Sequence, residues 1–122
     1  MSATEAKIPG PDHPITIEPH RGRVVVRAGD RVIADTTDAL ELREASYPVV
    51  LYVPLSDLDE ESLERTETTS WCPYKGTASY FTVKAGDEVL DDVIWYYAEP
   101  HDAVSEIGGH AAFYANRVSI ES

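Results

Sequence analysis

Short runs of β-branched and aromatic residues, divided by turn signals at close intervals, constrain this chain more than any other feature. Ala28-Gly29-Asp30 separates the runs 24–27 and 32–35, the pattern of a hairpin. Ala85-Gly86-Asp87 separates 77–83 from 89–97 in the same way. Residues 40–43 alternate apolar and charged, as a half-buried strand does. Pro48 and Pro54 bracket the run 49–53, and a proline cannot donate to a sheet ladder, so the two are expected to mark its ends. A strand is expected to begin at Ile15, and two more to follow over 111–114 and 118–121 across a turn at Asn116. Helix signals are few. Ser56 can cap a short helix whose acidic first turn holds Asp57 and Asp59, with Leu58 and Leu63 facing inward. Residues 100–107 predict one more helical turn, ended by Gly108-Gly109. The expected fold class is mainly β, with antiparallel sheets and one or two short helices. Residues 1–14, polar and holding three prolines, predict a flexible N-terminal arm ahead of a single β domain over 15–122.

Charge and cysteine usage narrow the functions. Twenty-two acidic residues against seven arginines and three lysines give 122 residues a net charge of −12. Such a surface repels phosphate backbones and carries no basic stripe, which argues against nucleic-acid binding. Cys72 is the lone cysteine, so neither an internal disulfide nor a cysteine-rich zinc cage is available. The four histidines (His13, His20, His101 and His110) are too far apart for local metal spacing, and no metal or cofactor is expected. No leader pattern opens the chain, and no apolar run approaches the ~20 residues of a membrane span. A soluble cytoplasmic protein with no membrane partner is the expectation.

Chemistry concentrates in three segments. The first, 68–80, gathers Trp71, Cys72, Tyr74, Lys75 and Tyr80 around a turn shaped by Pro73 and Gly76. Lys75 is a reasonable anchor for an anionic or carbonyl-bearing ligand; the bland alternative is a surface lysine paired with a carboxylate. Cys72 is a candidate nucleophile if a base or cation lies nearby, and otherwise a small buried hydrophobe. The second segment is Ile94-Trp95-Tyr96-Tyr97, where alternation puts Trp95 and Tyr97 on one sheet face and Tyr96 on the other. In the third, His110 follows Gly108-Gly109 and can act as base, ligand contact or structural hydrogen-bonder. The candidate ligand-binding set is Tyr52, Trp71, Tyr74, Lys75, Tyr80, Trp95 and His110, and the candidate catalytic groups are Cys72, Lys75 and His110. Phosphate-cradling loops, a nucleophile elbow and a zinc-binding His-Glu-x-x-His helix are all missing.

In order along the chain stand Val32-Ile33-Ala34-Asp35-Thr36, Leu42-Arg43-Glu44, Tyr47-Pro48-Val49-Val50-Leu51-Tyr52-Val53-Pro54, Cys72-Pro73-Tyr74-Lys75-Gly76-Thr77-Ala78-Ser79-Tyr80, Trp95-Tyr96-Tyr97-Ala98-Glu99-Pro100 and Gly109-His110-Ala111-Ala112-Phe113-Tyr114. This succession resembles the family known as domain of unknown function 427, also labelled a nucleotidyltransferase-like domain, over about residues 23–121. The resemblance implies a compact β-tent, or Mss4-like, fold, shared with B-type methionine sulfoxide reductases and the thalidomide-binding domain of cereblon. Those relatives often hold zinc between two cysteine pairs, which one cysteine cannot reproduce. The resemblance implies no particular reaction, and no Gly-Ser motif ahead of paired acids supports the nucleotidyltransferase label. Three functions follow from the residues: a small-molecule binding module lined by the set above; an enzyme using Cys72 or Lys75 with His110 in that pocket; or an interaction domain whose aromatic face docks a partner or a second copy as a homodimer.

Overall fold

Alternation and turn chemistry shape the chain much as the sequence implies. The structure is a computed structural model that describes residues 6–122. Residues 1–5 of the expected arm lie outside the described residues. Among those described, the strands are β1 (Ile15–Pro19), β2 (Val24–Ala28), β3 (Arg31–Thr36), β4 (Leu40–Glu44), β5 (Val50–Pro54), β6 (Leu63–Cys72), β7 (Gly76–Ala85), β8 (Glu88–Tyr96), β9 (His110–Phe113) and β10 (Ser119–Glu121). They form a seven-stranded sheet in the order β1-β4-β5-β9-β8-β7-β6 and a three-stranded sheet in the order β10-β2-β3. Neighbouring strands are antiparallel throughout. The protein is therefore mainly β, as expected.

The helical content is shorter than the sequence implies. Where a helix was expected after Ser56, the chain makes two single 3₁₀ turns, Leu55–Asp57 and Glu60–Ser62. Pro54 and not Ser56 precedes the first, and neither turn has a side-chain cap. Leu58 instead stays extended and bridges Ala34 on β3, while the Asp59 carboxylate accepts from Arg31 and Ser62. These tertiary partners outweigh the weak local helix signal. Leu63 opens β6, a strand with no counterpart in the sequence reading. β6 is an edge strand with both faces largely wet, so Leu-Glu-Arg-Thr-Glu-Thr-Thr-Ser-Trp-Cys carries no alternation to betray it. The last expected helical turn is present as the 3₁₀ segment Asp102–Ile107.

Two cores lie on opposite faces of the large sheet. On one face the small sheet brings Val24, Val26 and Ile33 against Val53, Val83, Ile94 and Phe113. The other face buries Leu42, Tyr52, Ala78, Tyr97 and Ala112 around Val104 and Ile107 of the 3₁₀ segment. The sheet curls to do this. Register shifts between Arg65 and Thr69, and between Phe81 and Val83, strengthen the local twist, as bulges do. The hydroxyls of Thr66 and Thr68 both donate to Asp92, which holds a positive φ of 50° beside the second shift. The curl brings β4, second in the sheet, within ion-pair distance of the β6–β7 turn at its far side, through Glu44 and Lys75.

That turn depends on Gly76. Its φ is +114°, and a Cβ there would stand 3.4 Å from the Glu99 carbonyl and 3.4 Å from the His101 ring. Gly76→Ala is expected to lose about 1–3 kcal/mol of stability, because backbone strain and close approach act together. Urea unfolding would read the loss, and an unchanged midpoint would show that the turn relaxes freely.

Candidate functional site

The inner face of the curled sheet leaves a cavity of about 270 Å³. Leu42 from β4, with Val50 and Tyr52 from β5, forms one wall; Tyr80 from β7, Trp95 from β8 and Tyr97 form the other. Glu44 and Lys75 sit beside each other in the lining, and Tyr47, Pro48 and Tyr114 complete the rim. The alternation of Trp95 and Tyr97 against Tyr96 holds: the first two belong to the inner face, and Tyr96 stacks on Phe81 at 4.8 Å on the other.

The polar groups of the cavity are ordered. Lys75 is nearly buried, its side chain 10% exposed, and its Nζ donates to Glu44 Oε1 at 2.5 Å and to Cys72 Sγ at 3.6 Å. The other Glu44 oxygen, Oε2, lies 2.7 Å from His13 Nε2. A carboxylate only accepts, so His13 donates there. The His13 ring stacks on Tyr74 with centroids 4.0 Å apart, and the Lys7 amide donates to the Pro73 carbonyl. The described part of the N-terminal segment is thereby tied across the β6–β7 turn. Burial opposes the charge on Glu44, but the hydrogen bonds from Lys75 and His13 prevail and hold its carboxyl below the usual range.

Phenols supply the remaining polarity. Trp95 Nε1 donates to Tyr52 Oη at 3.3 Å, leaving the Tyr52 proton free for another acceptor. Burial pushes the Tyr52 phenol up to about 12, and it raises Tyr97 further still. Both remain O–H donors at any physiological pH. Tyr80 Oη pairs with Ser70 Oγ at 2.9 Å, and Tyr114 packs against Trp95 with ring centroids 4.6 Å apart.

Of the residues singled out from the sequence, the structure brings Tyr52, Lys75, Tyr80 and Trp95 to this cavity. Cys72 packs on the same face and touches Lys75. Three others sit elsewhere. Trp71 lies one residue from Cys72 and so points to the opposite face, where it meets His101 edge-on at 5.4 Å beside a separate cavity that Thr77 and Ser79 also line. Tyr74 stacks on His13 outside the cavity lining. His110 shares the inner face with Ala112 but stands one pleat repeat away, and its Nδ1 lies 3.0 Å from the Gly108 carbonyl. Glu44, His13 and Tyr97, with Tyr47 and Tyr114 at the rim, are the polar participants that lie outside the set expected from the sequence. Alternation from Trp95 puts Tyr97 on the same face, and the same period carried on from Leu42 would have found Glu44. His13, in the Pro-rich segment, gave no such signal.

The sequence profile of a family described as domain of unknown function DUF427 matches residues 16–122. The chain belongs to the DUF427 family. The match takes in every strand except the first residue of β1, and with them the whole cavity apart from the His13 tie. Among the described residues no group of three or more histidine, cysteine or acidic side chains is placed to hold a metal ion. No helix there is long and apolar enough to cross a membrane. No curated protein matches the sequence.

Proposed function

We propose that this DUF427 domain binds a small, planar, uncharged molecule bearing a carbonyl or similar acceptor in the cavity of the curled sheet. The observation that carries the reading is that Tyr52, whose hydroxyl accepts from Trp95 and keeps its proton to donate, and Tyr97 line a cavity walled by Trp95, Val50 and Leu42. Lys75 and Glu44 already neutralise each other at 2.5 Å, so a charged ligand finds no unpaired countercharge there. The net charge of −12 disfavours anions further. A ligand acceptor would pair with the Tyr52 hydroxyl, while the aromatic walls take a flat body. The volume falls just below the ~300–1,000 Å³ of drug-sized ligand sites, which points to a compact occupant. The β-tent resemblance, which places ligands in a cleft on the sheet, agrees with this position.

Small aromatic amides and lactams are the test compounds. A ligand present at ~100 times its Kd is expected to add about 2.7 kcal/mol of stability, readable as a rise in melting temperature. Trp95 emission should change with it, and a Trp71→Phe background leaves Trp95 as the sole tryptophan. Tyr52→Phe with Tyr97→Phe should weaken binding by at least about tenfold while sparing the walls. Unchanged melting and emission across the whole compound set would end the proposal.

A further inference from the structure

The chain holds three lysines, and they are unlike one another. Lys7 is exposed, and Lys84 is half exposed on β7, paired with Glu64 across the strand. Lys75 alone is withdrawn from solvent beside an aromatic cavity. If its only task were to tie Glu44 to the turn, an arginine would serve with a two-pronged contact and a permanent charge. What distinguishes lysine is that its ammonium can surrender a proton, the requirement for a nucleophilic amine.

Its surroundings supply the other parts of carbonyl addition. Glu44 Oε1, at 2.5 Å, is placed to relay a proton between the amine and a bound carbonyl, and His13 on Oε2 fixes the orientation of the carboxylate. Glu44 and Cys72 take two of the three ammonium directions, leaving one N–H direction unclaimed at the cavity lining. Tyr52 and Tyr97 line the same cavity and carry the O–H groups available to a developing oxyanion there.

We propose that Lys75 is a nucleophile that captures small aldehydes or ketones as an imine, with Glu44 as its proton relay. This rests on the cavity reading above. The Lys75 ammonium passes one proton to Glu44, and the freed amine forms a C–N bond to the carbonyl carbon as the C=O π electrons move to oxygen. The oxygen takes up the proton that the nitrogen then releases, giving a neutral carbinolamine. Glu44 returns its proton to the hydroxyl, the C–O bond breaks, and water leaves a protonated imine. One ammonium and one carbonyl compound thus yield one iminium ion and one water, with no oxidant or reductant consumed.

Benzaldehyde, with cyanoborohydride to fix the imine as a benzylamine, is the probe for the intact protein, and peptide mapping reads the site. Lys75 is expected to label at least about tenfold faster than Lys84, and Glu44→Gln should slow that labelling by roughly tenfold to a hundredfold with the circular dichroism unchanged. Modification confined to Lys7 and Lys84, or a Glu44→Gln protein that labels Lys75 at the original rate, would overturn the assignment. Benzamide, which can occupy the cavity but forms no imine, separates the two readings. Trp95 emission that responds to benzamide without any Lys75 adduct removes the imine alone, whereas loss of both removes the cavity reading as well.

Discussion

Glu44→Ala is expected to cost about 3–5 kcal/mol, because it strands the Lys75 ammonium at a site where its side chain is only 10% exposed. The cost arises less from the lost attraction than from a desolvated charge with no partner. Lys75→Met in the same protein should therefore recover the part of the loss that comes from the unpaired charge, since the thioether needs no countercharge. Urea denaturation of the two single variants and the double variant gives the coupling directly. A Glu44→Ala loss below about 1 kcal/mol would mean that the pair behaves as an exposed surface bridge. Acid should have the same effect by another route. The folded Glu44 carboxyl lies below its unfolded value of about 4.3, so its stabilisation is complete above that pH and disappears as the pH falls through the lower folded value. Glu44→Gln should flatten this part of the acid unfolding curve.

Adjacent residues on β8 should fail in opposite ways. Ile94 is fully buried between the two sheets, and Ile94→Ala is expected to remove about 2–5 kcal/mol by leaving a void among Val26, Val53 and Phe113. Trp95 faces the cavity, donates to Tyr52 and packs against Tyr114. Trp95→Ala should weaken ligand affinity by at least about tenfold, or ~1.4 kcal/mol. Below its melting point, Ile94→Ala should bind amides as the parent does, since the void opens on the other face. Equal loss of affinity in both variants would show that the faces are mechanically coupled through the strand.

Much of the fold was legible because its central strands have a dry side. Residues 24–28, 31–36 and 88–96 announce themselves by β-branched content and by Gly-Asp turns, 40–44 by its alternation of leucine with charged residues, and alternation correctly separated Trp95 from Tyr96. β6 was hidden because solvent reaches both of its faces, so no hydrophobic period is imposed on it. The segment after Ser56 misled because Asp57 and Asp59 accept from Thr36 and Arg31 across space and do not cap a helix N-terminus. At the site, Tyr52, Lys75, Tyr80 and Trp95 were identifiable by residue type. Their polar partners were not, because Glu44 is 31 residues from both Lys75 and His13. Only the curl of the sheet makes neighbours of such distant positions. Trp71 and His110 show the converse: closeness in sequence to Cys72 and to Ala112 did not bring either to the cavity.

The position of β9 sets the order in which the molecule can assemble. Strands β4 and β5 can pair early, and β6, β7 and β8 can form consecutive hairpins, but the two groups share no ladder until residues 110–113 slide between β5 and β8. β10 must likewise travel back to β2. Until that part of the chain leaves the ribosome, β5 and β8 each present an unpaired edge, and the two walls of the cavity are not yet joined in one sheet. Such long-range closure makes folding slow for a domain of this size and puts the window of aggregation risk in its final step.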